Sequence, residues 1–163
     1  MNQQTIEITH MVMRDIEDVL TIENSSFSAP WSRDVFEREL QLPISRNLIA
    51  KIHKTLFYEI AGYLTYWVIA GEVQIHKITV KNELRKTGIA SALMTEMIRL
   101  ANIEGAACCT LEVGRSNESA KKLYEKFGFT VTSVRPHYYA ESGEDAMVMS
   151  ADLKKSLQFI HKL

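Results

Sequence analysis

Two short stretches carry residue types from which group-transfer chemistry is built. In the first, Arg85-Lys86-Thr87-Gly88-Ile89-Ala90 stands between a strand-like run, residues 73–80, and a helix with apolar periodicity. Its backbone amides therefore converge on a helix N-terminus. Unpaired N–H groups and the positive helix end each add about 0.3–1 kcal/mol to holding an anion, and glycine lets phosphate oxygens reach the backbone. The spacing R-x-x-G-x-A is neither the Walker pattern nor the dinucleotide fingerprint, which turns the reading away from nucleotide hydrolysis and hydride transfer. A plain glycine-containing strand-to-helix turn is the alternative. The second stretch, residues 111–129, places Glu112 in a strand and Tyr124 on the following helix. Leu111 and Val113 point to one face and Glu112 to the other; in a strand covered on both faces a carboxylate is costly unless it lines a cleft. There, loss of water would suit it to base chemistry. The residues equally allow a strand-end glutamate paired with a lysine, and a Tyr124 packed as a core aromatic beside Leu123 and Phe127.

The elements that must position these groups are legible from periodicity. Residues 5–11 alternate like a half-buried strand, and 14–27 shift to helical spacing. Ser32 is placed to cap a helix over 33–41, which Pro43 stops. Residues 46–53, 59–70 and 72–80 read as an antiparallel meander divided by Lys54-Thr55 and Gly71. A helix over 88–103 ends near Gly105, a short apolar strand covers 107–113, and a helix from Asn117 or Glu118 to Phe127 closes at Gly128. Residues 130–138 and 145–153 form a strand pair around the turn 141–144, and 152–163 a terminal helix. This order predicts one α/β (α+β) domain with a mixed, mostly antiparallel sheet flanked by helices.

Composition bounds the partners. With 163 residues, 46% of them hydrophobic, and 19 Lys+Arg against 20 Asp+Glu, the chain has core enough for one domain and no global basic field for nucleic acid. Cys108 and Cys109, adjacent in an apolar run, suit strand thiols better than a disulfide or a metal site. His10, His53, His76, His137 and His161 show no ligand spacing. No charged-plus-apolar leader or long uncharged span is seen, the best apolar stretch (63–71) being too short to cross a membrane, so a cytoplasmic protein is expected.

The loop Arg85, Gly88, Ala90 resembles the acetyl-CoA pyrophosphate loop of the Gcn5-related N-acetyltransferases. The string L-E-V-x-x-S-N-x-x-A-x-x-L-Y-x-x-x-G-F from Leu111 to Phe129 is similar to the signature of their RimI group, bacterial enzymes that acetylate the N-terminal alanine of a ribosomal protein. Pro30-Trp31-Ser32, Tyr138-Tyr139 and Glu144-Asp145-Ala146 match further elements of that group, so the resemblance covers residues 5–152. It implies acetyl-CoA as cosubstrate, no metal, Glu112 as general base and Tyr124 as general acid. Acetyl transfer needs both, because the amine must be neutral and the leaving thiolate must be stabilised. Arg85, Lys86, Thr87, Gly88, Ile89 and Ala90 would hold the pyrophosphate. Backbone of Ile78, Thr79 and Val80 would pair with the pantetheine arm between splayed strands, with Asn117 and Tyr124 also against the cofactor. Trp31, Tyr138 and Tyr139 would grip a protein N-terminus, with a ribosomal protein as partner and a monomer or weak dimer as the working state. His137 stands where the group often has Asn, and Asn82 where a proline is common. An acetyltransferase for lysine side chains or small amines, and a non-catalytic CoA-binding module associated with ribosomes, are the competing readings.

Overall fold

Buried apolar residues recur at the period of each element. The computed structural model describes residues 5–160. Ile6–His10 forms β1, and a 3-10 turn at Met13–Asp15 leads into α1, Ile16–Ser26, which buries Ile16, Val19 and Ile22. Then come α2, Arg33–Gln41; β2, Ser45–His53; β3, Tyr58–Ile69; and β4, Glu72–Val80. The later half holds α3, Ile89–Ile103; β5, Cys108–Gly114; α4, Glu118–Glu125; β6, Thr130–Tyr139; β7, Glu144–Asp152; and α5, Leu153–Ile160. Residues 161–163 of the expected terminal helix, with His161, lie outside the described residues. Hydrogen-bonded neighbours follow the order β1-β2-β3-β4-β5-β7-β6. The fold is thus the expected mixed, mostly antiparallel sheet flanked by helices, with β4 and β5 parallel. β7 runs between β5 and β6, antiparallel to both.

The chain divides into two compact units, residues 1–67 with 77–97, and residues 68–76 with 98–163. In the first, Met11, Ile16, Val19, Ile22, Phe36, Ile49, Ile60 and Tyr63 form the core under α1 and α2. Phe36 meets the Trp31 and Tyr63 rings, each at 5.5 Å. Glu23 of α1 is fully buried there. Its carboxylate accepts hydrogen bonds from the Tyr63 hydroxyl, the Lys77 ammonium and, at 2.7 Å, the Trp31 amide. A buried carboxylate is tolerable because all three donors are spent on it. Ser32 occupies the first position before α2, but its hydroxyl makes no capping hydrogen bond; its carbonyl receives the Val35 and Phe36 amides instead.

In the second unit β5 corrects the expectation of a strand covered on both faces. Cys109, Leu111 and Val113 are buried, whereas Cys108 and Thr110 are half-buried and Glu112 is exposed. The apolar-looking run is an alternating strand with one open face. α4 is capped by Asn117, whose Oδ1 accepts the Ala120 amide at 3.1 Å. It ends at Gly128, φ 84°, with the Phe129 amide returned to the Tyr124 carbonyl at 3.2 Å.

Candidate active site

The first unit carries the anion loop. Lys86 (φ 63°) and Gly88 (φ 91°) both take left-handed conformations, the alternation that turns successive N–H groups into one concavity. Thr87 donates its hydroxyl to the Leu84 carbonyl at 2.6 Å, and Arg85 Nε reaches the Val80 carbonyl at 3.3 Å. Gly88 supplies the carbonyl for the Ala92 amide of α3. Among the described residues no backbone carbonyl receives the amides of Lys86, Thr87, Gly88, Ile89 or Ala90. A Cβ on Gly88 would meet nothing within 4 Å. The loop is therefore an open set of unspent donors at a helix start, which is what an anionic group needs. Thr79 and Val80, at the end of β4, are buried and Ile78 is half-buried; Gly62 of β3 admits them, since a Cβ there would stand 2.7 Å from the Thr79 carbonyl oxygen.

Glu112, in the second unit, does not lose its water as expected. Its side chain is 32% exposed, and its two oxygens are separately engaged: Oε1 by Arg135 Nη1 at 2.9 Å, Oε2 by the Tyr138 hydroxyl at 3.1 Å. The Arg135 guanidinium also stands 5.6 Å from the Tyr138 ring centre. This grouping depends on a bulge. Arg135 pairs with Ala146 and Tyr139 with Glu144, so β6 takes four steps where β7 takes two. His137, at φ 51°, makes the turn. Its amide donates to Asp145 Oδ1 at 3.0 Å and its Nδ1–H to the Gly143 carbonyl at 3.2 Å. Histidine and asparagine are both enriched in left-handed conformations, so the departure at His137 keeps the backbone geometry within reach. Holding a non-glycine residue there costs about 1–2 kcal/mol. An exposed ion pair such as Arg135–Glu112 returns about 0.2–1 kcal/mol.

Tyr124 is 5% exposed and packs its ring 5.9 Å from that of Phe129. Burial, with Cys109 and Tyr139 nearby, raises its pKa well above the ordinary value of 10.0, so it holds its proton at neutral pH. Burial is likewise the first cause that raises the phenols of Tyr138 and Tyr139; the two rings meet edge to face at 5.3 Å. Burial also raises both cysteine thiols, which leaves them poor nucleophiles. Trp31, in the first unit, is partly core and partly exposed, with the Lys77 ammonium 4.9 Å from its ring centre. Asn117 spends its carbonyl oxygen on the α4 cap. Sequence spacing does not single out Arg135, which reaches Glu112 only through the bulge; Glu23, seven residues after Ile16 and four after Val19, has the spacing of the buried face of α1, a signal that could have found it. Among the described residues no cluster of three His, Cys, Asp or Glu could hold a metal, and no helix is long and apolar enough to cross a membrane.

The acetyltransferase (GNAT) family matches residues 16–129. The chain belongs to the GNAT family. It is therefore an N-acetyltransferase of that type, a family that uses acetyl-CoA. A protein of Bacillus subtilis (strain 168), provisionally named a ribosomal protein bS18-alanine N-acetyltransferase, is 35% identical over 143 residues, covering 87% of this chain and 92% of its own. The Escherichia coli (strain K12) ribosomal protein bS18-alanine N-acetyltransferase is 27% identical over 150 residues, covering 88% and 95%. The crystal structure of the E. coli enzyme superimposes with a TM-score of 0.81 at 26% identity over 91% of this chain and 94% of that one. Arabidopsis thaliana NAA60 in complex with acetyl-CoA shares the fold, with a TM-score of 0.83 at 18% identity over 92% and 99%.

Proposed function

We propose that this GNAT protein transfers the acetyl group of acetyl-CoA to the α-amine at a protein N-terminus, with an alanine-led ribosomal protein as substrate, in the cytoplasm. The observation that carries the reading is the Glu112 carboxylate, exposed and already engaged by a guanidinium and a phenol. It is open to receive a cationic amine. An α-ammonium has a pKa of about 7.7–8.0, against about 10.4 for lysine, so a modest carboxylate base can neutralise the former far more often at pH 7. In the proposed reaction Glu112 takes a proton from the ammonium, and the amine nitrogen attacks the thioester carbonyl carbon. As the C–S bond breaks, the thiolate receives the Tyr124 proton, and the nitrogen releases its second proton, which returns through solvent to the Tyr124 phenolate, so the amide and the free thiol leave with one proton held by Glu112. The amides of Lys86 to Ala90, beside Arg85, take the pyrophosphate. The backbone of Ile78, Thr79 and Val80 takes the pantetheine arm, with Asn117 also against it, and Trp31, Tyr138 and Tyr139 contact the acceptor peptide.

The test is a competition in one tube between an alanine-led peptide and the same peptide with its N-terminus blocked and an internal lysine, read by mass spectrometry. The α-amine should be acetylated in large excess. Preferential modification of the lysine would make this a side-chain acetyltransferase, and no transfer to either, with acetyl-CoA bound, would leave a binding module.

A further inference from the structure

We propose that Arg135 is a positioning residue for this reaction: its guanidinium and the Tyr138 hydroxyl clamp the two oxygens of Glu112 and fix the carboxylate in one orientation. The inference rests on the reading of Glu112 as the base. Residues three apart in a regular strand point to opposite faces, so Arg135 and Tyr138 could not serve one carboxylate on an unbroken β6. The bulge through Pro136 and His137 brings both to it. Glu112 stands opposite Val148 on β7, and Arg135 opposite Ala146, two residues along on the same face. The guanidinium therefore reaches diagonally across β7, past a buried alanine too small to obstruct it. Glu112 is the carboxylate that Arg135 meets among the described residues. An exposed glutamate has three rotatable bonds, and a base held in one geometry works much faster than one that must find it.

The experiment measures kcat, both KM values and thermal unfolding for Arg135→Ala, Arg135→Lys, Tyr138→Phe, Glu112→Gln and the double variant Glu112→Gln/Arg135→Ala. Arg135→Ala should lower kcat about 10- to 100-fold while KM for acetyl-CoA and the melting temperature stay near those of the parent. Arg135→Lys should restore part of the loss, and Tyr138→Phe should lose less than Arg135→Ala. In the Glu112→Gln background the removal of Arg135 should change kcat less than about two-fold, because no base remains to be positioned. An unchanged kcat in Arg135→Ala, or the same fold-loss in both backgrounds, overturns the proposal. A fully active Glu112→Gln variant overturns the base assignment itself, whatever Arg135 does.

Discussion

Glu112 and Tyr124 sit in opposite surroundings, one wet and one dry, and the difference matters to their proposed work. A phenol whose pKa burial has raised is a reluctant acid toward an aqueous thiolate, whose own pKa is about 8.5. The same loss of water that holds the proton on Tyr124 also makes an arriving thiolate more basic, so the hydrogen bond between them strengthens as the C–S bond breaks. Glu112→Gln and Tyr124→Phe should each lower turnover about 10²- to 10⁴-fold with little change in acetyl-CoA affinity. Steady-state kinetics beside calorimetric titration checks this; losses confined to affinity would refute it. The strand and the helix that carry these residues are legible in the sequence, and their proposed roles come from the resemblance rather than from spacing. Arg135 is not legible there, since its reach depends on two extra residues in β6 that no spacing rule announces. Glu23 falls on the apolar spacing of α1, but its three donors come from Trp31, Tyr63 and Lys77, scattered along the chain, and no spacing names them.

At the scale of the element, the loop before α3 is the feature most open to a clean experiment. Gly88 has φ 91° and open space where a side chain would project, so a valine would bring strain of about 1–2 kcal/mol and fill the room in which a phosphate would lie. Gly88→Val should stay folded and lose measurable acetyl-CoA binding by calorimetry. A folded variant with unchanged affinity would move the pyrophosphate elsewhere. The loop is legible in the sequence because strand, glycine and apolar helix follow one another directly. The open face of β5 is not, because Cys109, Leu111 and Val113 supply apolar residues at every second position and their neighbours Cys108 and Ala107 disguise the alternation. The passage of β7 between β5 and β6 is equally out of reach: adjacency in sequence marks the β6–β7 hairpin, and nothing local tells which of its strands meets β5.

For the molecule entire, each compact unit contains a buried tyrosine whose proton is hard to remove. Tyr63 is raised by burial and by the Glu23 carboxylate it serves, Tyr124 chiefly by burial. In the unfolded chain both phenols ionise near pH 10, whereas in the folded chain they stay neutral. The stability they lend is therefore complete below about pH 10 and is lost as pH climbs beyond it toward the raised folded values. Melting temperature should fall between about pH 9.5 and 11, and less steeply in Tyr124→Phe; parallel curves would show that other groups control alkaline unfolding. β6 lies last in the strand order, with Val131 and Val134 exposed. Straight and ten residues long, such a border would invite the strand of another molecule to add to it, the first step toward aggregates. The bulge that turns Arg135 and Tyr138 toward Glu112, together with Pro136 and a further irregularity between Val131 and Ser133, breaks the row of hydrogen-bonding groups. The distortion that arranges the carboxylate thereby also guards the protein's solubility, and a variant that regularised β6 would forfeit both.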